Sequence, residues 1–468
     1  KQFSVPDNES YKITAYTSTD AASGSYIMLF SREVRPGYYI LSDSVVYVEF
    51  FGNVERQYDQ VVKKEMYIQG HKAAIVSGRN MKQKEIFAKA LSVIRDNRNI
   101  MIMVIGDSSY VLSPSVDNIF NSIRFIDPPK IKWNTYQAPD KSSSAWAPGP
   151  FRLHEESAAT HMIAYDTATS TTFFITPDTM KKYTWVQNDS TFWALSVKNY
   201  FGDSTLYEKK VQNGDVSGRE WMLQEGSVYS RIRVLPSGNI IYKIFVVGGK
   251  ELLESENTDK FFESFRLNGP GIPPTYLESK ATLLLQDLRS EDSATRADAF
   301  SYLPLGAFSK QDLPMLHEAL VQSYQRPYDF SELTAVNGGL GEQIAKLSDS
   351  ATLVFLEEQY NKLGKEKDPI RAAMLSTLAG MQTEQSYNLL TKLMSTSIPN
   401  HLPDYHFGGA LRDTILLTAK FYPGLQQHAA KHEQYGPILA DVVLELLDSG
   451  LVKKEVVAAA ENDFIQAA

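Results

Sequence analysis

The sequence predicts an α+β protein: two duplicated antiparallel-sheet-plus-helix domains, followed by an all-α helical-repeat domain. Three observations carry this. A stretch near residue 100 recurs without gaps 142 residues later, from Asn97 to Asn239. Each copy places two β-rich runs around a turn and then a helix. Past residue 275 the apolar spacing becomes helical.

The duplication is read from "NRNIMIMVIGDSSYVLSPSVDNIFNSIRF" (97–125) and the segment beginning at Asn239. Gly106 falls on Gly248, Ser113 on Ser255, Asp117 on Asp259, Phe120 on Phe262, Ser122 on Ser264 and Arg124 on Arg266. Alone, "EIFAKALSVIRD" passes for an amphipathic helix. Its counterpart "VYSRIRVLPSG" alternates apolar and basic residues up to a Pro-Ser-Gly turn, so both are expected to be strands. Gly106 and Gly248 are expected where the strand turns toward the helix, at positive φ. Ser113 with Pro114, and Ser255 with Glu256, are helix-start signals. Phe120 and Ile123, like Phe262 and Phe265, then face the sheet. The expected domains are residues 1–127 and 151–268. Between them, 128–150 has the composition of an extended Pro/Ser-rich linker whose Trp133 and Trp146 dock on a neighbouring surface.

The remaining domain, 269–468, follows a break at "NGPGIPPTY". Ile370, Ala373, Met374, Thr377, Leu378 and Met381 form one helical stripe. "RADAFSYL" (296–303) and "RAAMLSTL" (371–378) match 75 residues apart, about twice the unit of helix-pair repeats. A stack of such pairs is expected.

Bulk properties limit the function. At 468 residues the chain holds about three domains' worth of sequence. Its 43% hydrophobic and 22% charged content is that of globular protein. A net charge of −8 with only scattered basic pairs argues against nucleic acid. With no cysteine, disulfides, thiolate metal sites and cysteine nucleophiles are out, and an oxidising compartment fits. No run of about 18 apolar residues spans a membrane. A start at Lys1 rather than Met reads as a processed form or an excerpt, any signal peptide or anchor lying upstream.

Chemistry is sought first at "IMIMVIGDSSYVL" (100–112), where Ser108 follows Gly-Asp at a strand end, as in GDSL-type hydrolases. A serine nucleophile needs a base and an oxyanion hole, and no later Asp-x-x-His supplies them. In the second copy the position is Lys250. Ser108 is therefore read as a turn residue, and differences between the copies as tolerated variation. His428 and His432 share a helix face but lack the glutamate of the zincin pattern, Ala429 standing there. His401, Asp404 and His406 are a weak metal group in a Pro-containing loop. "NGGLGEQ" (337–343) has no Lys-Ser/Thr to meet phosphates. Glu155 and Glu156 after His154 read as surface charge. Trp185, Phe192 and Trp193 are expected in or near strands, as core or as the wall of an apolar or glycan groove. No catalytic, cofactor-binding or metal residue is assigned, and no cofactor.

The pattern of apolar strand, Gly, loop, then Ser-x-x-x-Asp-x-x-Phe-x-Ser-Phe/Ile-Arg resembles the C-terminal end of PsbP-like domains, over the last ~40 residues of each copy. The resemblance implies non-catalytic adaptors or assembly factors of periplasmic or lumenal spaces. The 269–468 part is similar to HEAT-like repeats, which implies a protein-binding surface. The functional expectation is a non-enzymatic scaffold or binding protein of the bacterial cell envelope, periplasmic or extracellular, with a protein partner. The alternatives are an envelope hydrolase using Ser108 or a metal at His401, Asp404 and His406, and a lipid or glycan carrier.

Overall fold

The structure is a computed structural model that describes residues 2–6, 11–154, 160–198, 205–325, 336–401, 405–429, 434–453 and 455. It divides into two compact units, Lys1–Met180 with Leu195–Thr275, and Lys181–Ala194 with Tyr276–Ala468.

The first unit holds both α+β modules. Module 1 runs β1 (Gln2–Pro6), β2 (Tyr11–Thr19), β3 (Tyr26–Val34), α1 (Asp43–Glu55), β4 (Tyr58–Ile68), β5 (His71–Asn80), β6 (Ile86–Arg95), β7 (Arg98–Asp107), α2 (Ser108–Val111) and α3 (Pro114–Asn121). Its strands form one antiparallel sheet in the order β1-β2-β3-β7-β6-β5-β4. Two further strands, β8 (Asn134–Gln137) and β9 (Ser143–Ala147), lead into module 2. Module 2 runs β10 (Arg152–His154), β11 (His161–Asp166), β12 (Thr171–Thr179), α4 (Asp189–Lys198), β13 (Thr205–Asn213), β14 (Val216–Glu225), β15 (Val228–Ser237), β16 (Ile240–Gly248), α5 (Lys250–Leu253) and α6 (Glu256–Ser264). Its sheet has the same wiring, β10-β11-β12-β16-β15-β14-β13. The register agrees as well: Ala90 pairs with Met103, and their counterparts Ile232 and Phe245 pair with each other.

Alternation explains the layering. In module 1 one set of strand residues, Leu91, Val93, Ile102 and Val104, lies under Val116 and Phe120 of the terminal helix. The alternate set, Ala74, Val76 and Ala90, lies under Tyr47, Phe50 and Val54 of α1. Successive side chains of a strand point to opposite faces, so a sheet covered on both sides is apolar on both sets. β6 is accordingly buried without interruption from Ala90 to Ile94.

Two boundaries are corrected. The stretch 128–150 is not extended linker throughout. β8 and β9 pair with each other and with β17 (Arg266–Leu267). Trp133, Ala138, Ala145 and Ala147 belong to module 2's core, Trp133 packing edge-on to Phe173 at 5.1 Å. Inside "SSAWA" the small residues at alternate positions are buried, the period-two signal of a strand, but serine and proline dominate the composition around it. The second correction concerns 181–194, which the sequence places within the second α+β domain. These residues belong to the helical unit.

That unit contains α7 (Ala281–Asp287), α8 (Ser293–Tyr302), α9 (Leu313–Leu320), α10 (Val336–Leu347), α11 (Ser350–Lys362), α12 (Asp368–Gly380), α13 (Glu384–Thr396), α14 (Tyr405–Asp413), α15 (Ile415–Ala429) and α16 (Gly436–Asp448). The helices pack alternately: α10, α12, α14 and α16 follow one another in one layer, and α9, α11, α13 and α15 in a second. The stripe from Ile370 to Met381 is buried, and so are Ala372, Leu375 and Ala379 on the other sides of α12. The run "NGGLGEQ" is helix, part of α10. A Cβ on Gly341 would lie 3.3 Å from the Ala373 carbonyl oxygen, so Gly341 lets α10 and α12 approach closely, while Gly339 faces Leu303.

Candidate functional site

The residues shared by the two copies converge on one task, holding the terminal helix to the sheet. Lys89 pairs with Asp117 and lies over the Phe120 ring; its counterpart Arg231 pairs with Asp259 at 2.5 Å and lies over Phe262 at 4.5 Å. Ser122 donates to the Ile119 carbonyl and Ser264 to that of Phe261. Arg124 donates to the carbonyls of Asn121 and Ile123, both at 2.7 Å. Arg266 donates to those of Glu263 and Phe265, the same positions of the second helix. Each arginine thus caps carbonyls left open at a helix end. Ser255 accepts from the Thr258 N–H as a cap, whereas Ser113 makes no such bond.

Gly106 and Gly248 have a different basis from the one expected. Neither has a positive φ; both continue their strands. A Cβ on Gly106 would come 2.8 Å from that of buried Ser25, and one on Gly248 would come 2.8 Å from Leu252 Cδ2. Close approach, not left-handed backbone, selects glycine there.

Where the copies differ, the difference has consequences. The β6–β7 hairpin tip, Asp96-Asn97, plugs into module 2. Asn97 is 0% exposed: its Oδ1 accepts from the Ile40 N–H at 3.0 Å, and its Nδ2 donates to the Val247 carbonyl at 2.9 Å. Arg98 donates to the carbonyls of Ala168 (2.7 Å) and Thr167 (3.1 Å) and to Ser170 Oγ (3.1 Å). The counterpart Asn239 makes the same backbone contact, accepting from Met180 N–H as Asn97 accepts from Val34 N–H, but its side chain is exposed. The variation at this tip seals module 1 to module 2, which corrects its reading as merely tolerated.

The loop after β3 completes the joint. Gly37 N–H donates to Thr172 Oγ1 at 3.1 Å, and Tyr38 meets the His154 ring edge-on at 5.7 Å. Tyr39 stands edge-on to Phe174 at 5.7 Å and to Phe245 at 6.3 Å; those two rings are stacked 4.3 Å apart. Tyr165 OH donates to the Val34 carbonyl at 2.8 Å. The corresponding segment of module 2 lies in the helical unit. There Trp185 Nε1 donates to the Ala307 carbonyl, Gln187 Nε2 to that of Phe308, and Tyr183 OH to Asp287 at 2.8 Å. Phe192 stacks on Tyr276 at 3.8 Å. Trp185, Phe192 and Trp193 are therefore not a strand-borne groove: Trp185 is in a loop, Phe192 and Trp193 are in α4, and all three are buried.

The other residues singled out in the sequence are dispersed. Ser108 opens the one-turn helix α2, with Asp107 as cap accepting from the Ser109 N–H at 2.7 Å. Lys250 opens α5 in the same way. His406 is turned toward Glu342 of α10 at 3.5 Å, and Glu342 also pairs with Lys346. Asp404, Glu155, Glu156, His432 and the side chain of His428 lie outside the described residues. Among the described residues no three His, Cys, Asp or Glu side chains gather as a metal ion requires, and no helix is long and apolar enough to cross a membrane.

One charged cluster was missed. Glu220, 0% exposed, accepts from Arg231 Nε at 3.0 Å, Arg233 Nε at 2.7 Å and Tyr207 OH at 3.0 Å, and pairs with Lys209 at 3.0 Å. Burial raises its carboxyl, but the guanidiniums of Arg233 and Arg231 outweigh that and hold it below the usual carboxylate range. Arg233 pairs with Glu220 across β15 and β14 as Leu91 pairs with Ile75 across β6 and β5, so the twin is apolar at both positions. Charge on alternate residues of "SRIRVL", with a glutamate inside the strand "SGREWML", was the available signal. Its burial was not visible until the two strands were paired.

No protein-family model matches the chain, and no curated protein matches it. A solved structure from Thermobifida fusca described as a thioesterase II is similar at 12% identity, covering 50% of this chain and 94% of its own, with a TM-score of 0.12. A likeness of that degree carries no argument.

Proposed function

We propose that this chain is a non-enzymatic scaffold or binding protein of the bacterial cell envelope, which engages a protein partner through PsbP-like modules and HEAT-like helix pairs. One observation carries the reading. Asn97 and Arg98 at the hairpin tip, which differ from their twins in environment or identity, seal one module to the next, whereas the other residues that recur in both copies are spent on holding helix to sheet. Machinery for a reaction would instead gather polar groups on a common reacting point. The absence of cysteine supports an oxidising compartment.

The test pairs two measurements on the purified chain. Quantitative recovery from an envelope extract is expected to yield a stoichiometric protein partner, and ester and peptide substrates are expected to remain intact. Failure to recover a partner, together with turnover lost in Ser108→Ala or on chelation, would overturn the proposal in favour of a hydrolase.

A further inference from the structure

The two sheets are wired alike, so the covered face of one indicates what suits the bare face of the other. In module 2 the half-sheet formed by β11, β12 and β16 receives Tyr39, which lies against Phe174 and Phe245. Phe174 is only 2% exposed beneath this contact. Register identifies the equivalent positions of module 1. Phe174 pairs with Phe245, and Met28 pairs with Met103, the residue that corresponds to Phe245. Phe30 and Tyr26 lie two residues to either side of Met28 on the same face, and Ile105 pairs with Tyr26. α1 packs over the other half of this sheet, on Ala74, Val76 and Ala90. Tyr26 is 57% exposed, and Met28, Phe30, Met103 and Ile105 are only half-buried.

We propose that this half-sheet of module 1, centred on Met28 and Met103, accepts an aromatic-tipped loop of a protein partner, as its twin accepts Tyr39. The occupant has the chemistry of "RPGYYIL" (35–41): a turn followed by two aromatic and two aliphatic residues. Methionines suit such a surface, because their unbranched side chains re-pack and their sulfur contacts aromatic rings favourably. Among the described residues, a second copy of this chain has no spare loop of that kind to offer. Its Tyr39 is seated on Phe174 and Phe245, with Ile40 N–H held by Asn97, and Trp185 is engaged within the helical unit.

The inference rests on the binding-protein reading and names its partner's chemistry. Its test uses the full chain labelled at the methionine methyls and a cyclised synthetic peptide of residues 35–42 as probe. Saturable methyl shifts confined to Met28 and its sheet neighbours are expected, with a Kd of the order of 1 mM for so small a ligand. Replacing both tyrosines of the peptide by alanine should weaken binding by about tenfold or more. Tyr26→Lys, at a position exposed enough to leave the fold intact, should do the same, and Met28→Lys is the second variant. Absent shifts, shifts equal with the alanine peptide, or shifts unchanged in Tyr26→Lys would overturn the proposal. So would concentration-dependent dimerisation producing the same shifts without peptide, which would make the occupant a second copy. Any of these outcomes leaves the scaffold reading in place, since that reading fails only on turnover without a partner.

Discussion

The buried Glu220 network gives the sharpest energetic prediction, because the twin module supplies its apolar control. Glu220→Gln removes the carboxylate that bridges Arg231 and Arg233 while leaving both guanidiniums buried. At an effective dielectric of 20, each contact near 3 Å is worth about 5 kcal/mol before desolvation is counted. Breaking a buried pair from one side costs about 3–5 kcal/mol net; here Arg231 keeps Asp259, and Arg233 is the guanidinium that loses its counter-ion. In a unit of this size that corresponds to a fall of about 10 °C in melting temperature. The double change Glu220→Ile with Arg233→Leu copies Ile75 and Leu91 and leaves Arg231 on Asp259, as Lys89 is left on Asp117. It takes the Glu220 acceptor from Tyr207 OH, Arg231 Nε and the half-exposed Lys209 and strips one bond from the Phe262 carbonyl, so its cost is about 2 kcal/mol. Urea denaturation followed by the fluorescence of the neighbouring Trp221 measures both. A double variant less stable than Glu220→Gln, or a single variant within about 1 kcal/mol of the parent, would refute the reasoning. The sign with pH is also fixed. Glu220 titrates below its unfolded value, so the network's contribution is present at neutral pH and is lost as the pH falls through the folded value.

Three further outcomes are expected. Burial, with Glu251 and Asp166 adding and Arg95 and Arg98 opposing, pushes Asp96 up to about 6, so the folded state binds its proton more tightly than the unfolded chain. Stability from this residue is then full below about pH 4 and lost as the pH rises through 6; Asp96→Asn, which tolerates the φ of 53°, should remove that slope and gain up to about 3 kcal/mol at pH 7. A steeper loss in the variant, read from denaturation curves across pH, would contradict this. Gly106→Ala should cost about 1–3 kcal/mol by crowding Ser25, with recovery in a Ser25→Gly background, and Gly248→Ala should cost less because its obstacle is the movable tip of Leu252; equal losses at the two glycines would refute the close-approach account. Trp185→Ala should cost about 3–5 kcal/mol and lower hydrogen-exchange protection in residues 281–320 rather than in β11 to β16. Loss confined to the sheet would show that 181–194 had been assigned to the wrong unit.

Much of this architecture is legible in the sequence because duplication lets one copy interpret the other. Residues 86–95 pass for helix until compared with 228–237, and they form β6. The recurring Asp, Phe, Ser and Arg mark the terminal helix correctly, since each makes a local contact that its spacing fixes. Long-range pairing was not legible. Composition hid the strands in 128–150, and no local signal distinguishes Trp185, committed to helices distant in sequence, from an aromatic residue of its own sheet. The glycines were found but misread, because a helix or strand crossing close to another leaves the same letter as a left-handed turn. Comparison of the copies also misled in one respect. Asn97 and Arg98 differ in environment or identity from Asn239 and Ile240 because only the first pair has a second module to enter.

The claim that this chain binds rather than catalyses is met most directly by native mass spectrometry of the chain isolated from its host envelope, run beside a hydrolysis screen of the same sample. The account predicts a discrete complex of the chain with another protein at fixed stoichiometry, and intact substrates. The chain flying alone while cleaving an ester or peptide through Ser108 would contradict it.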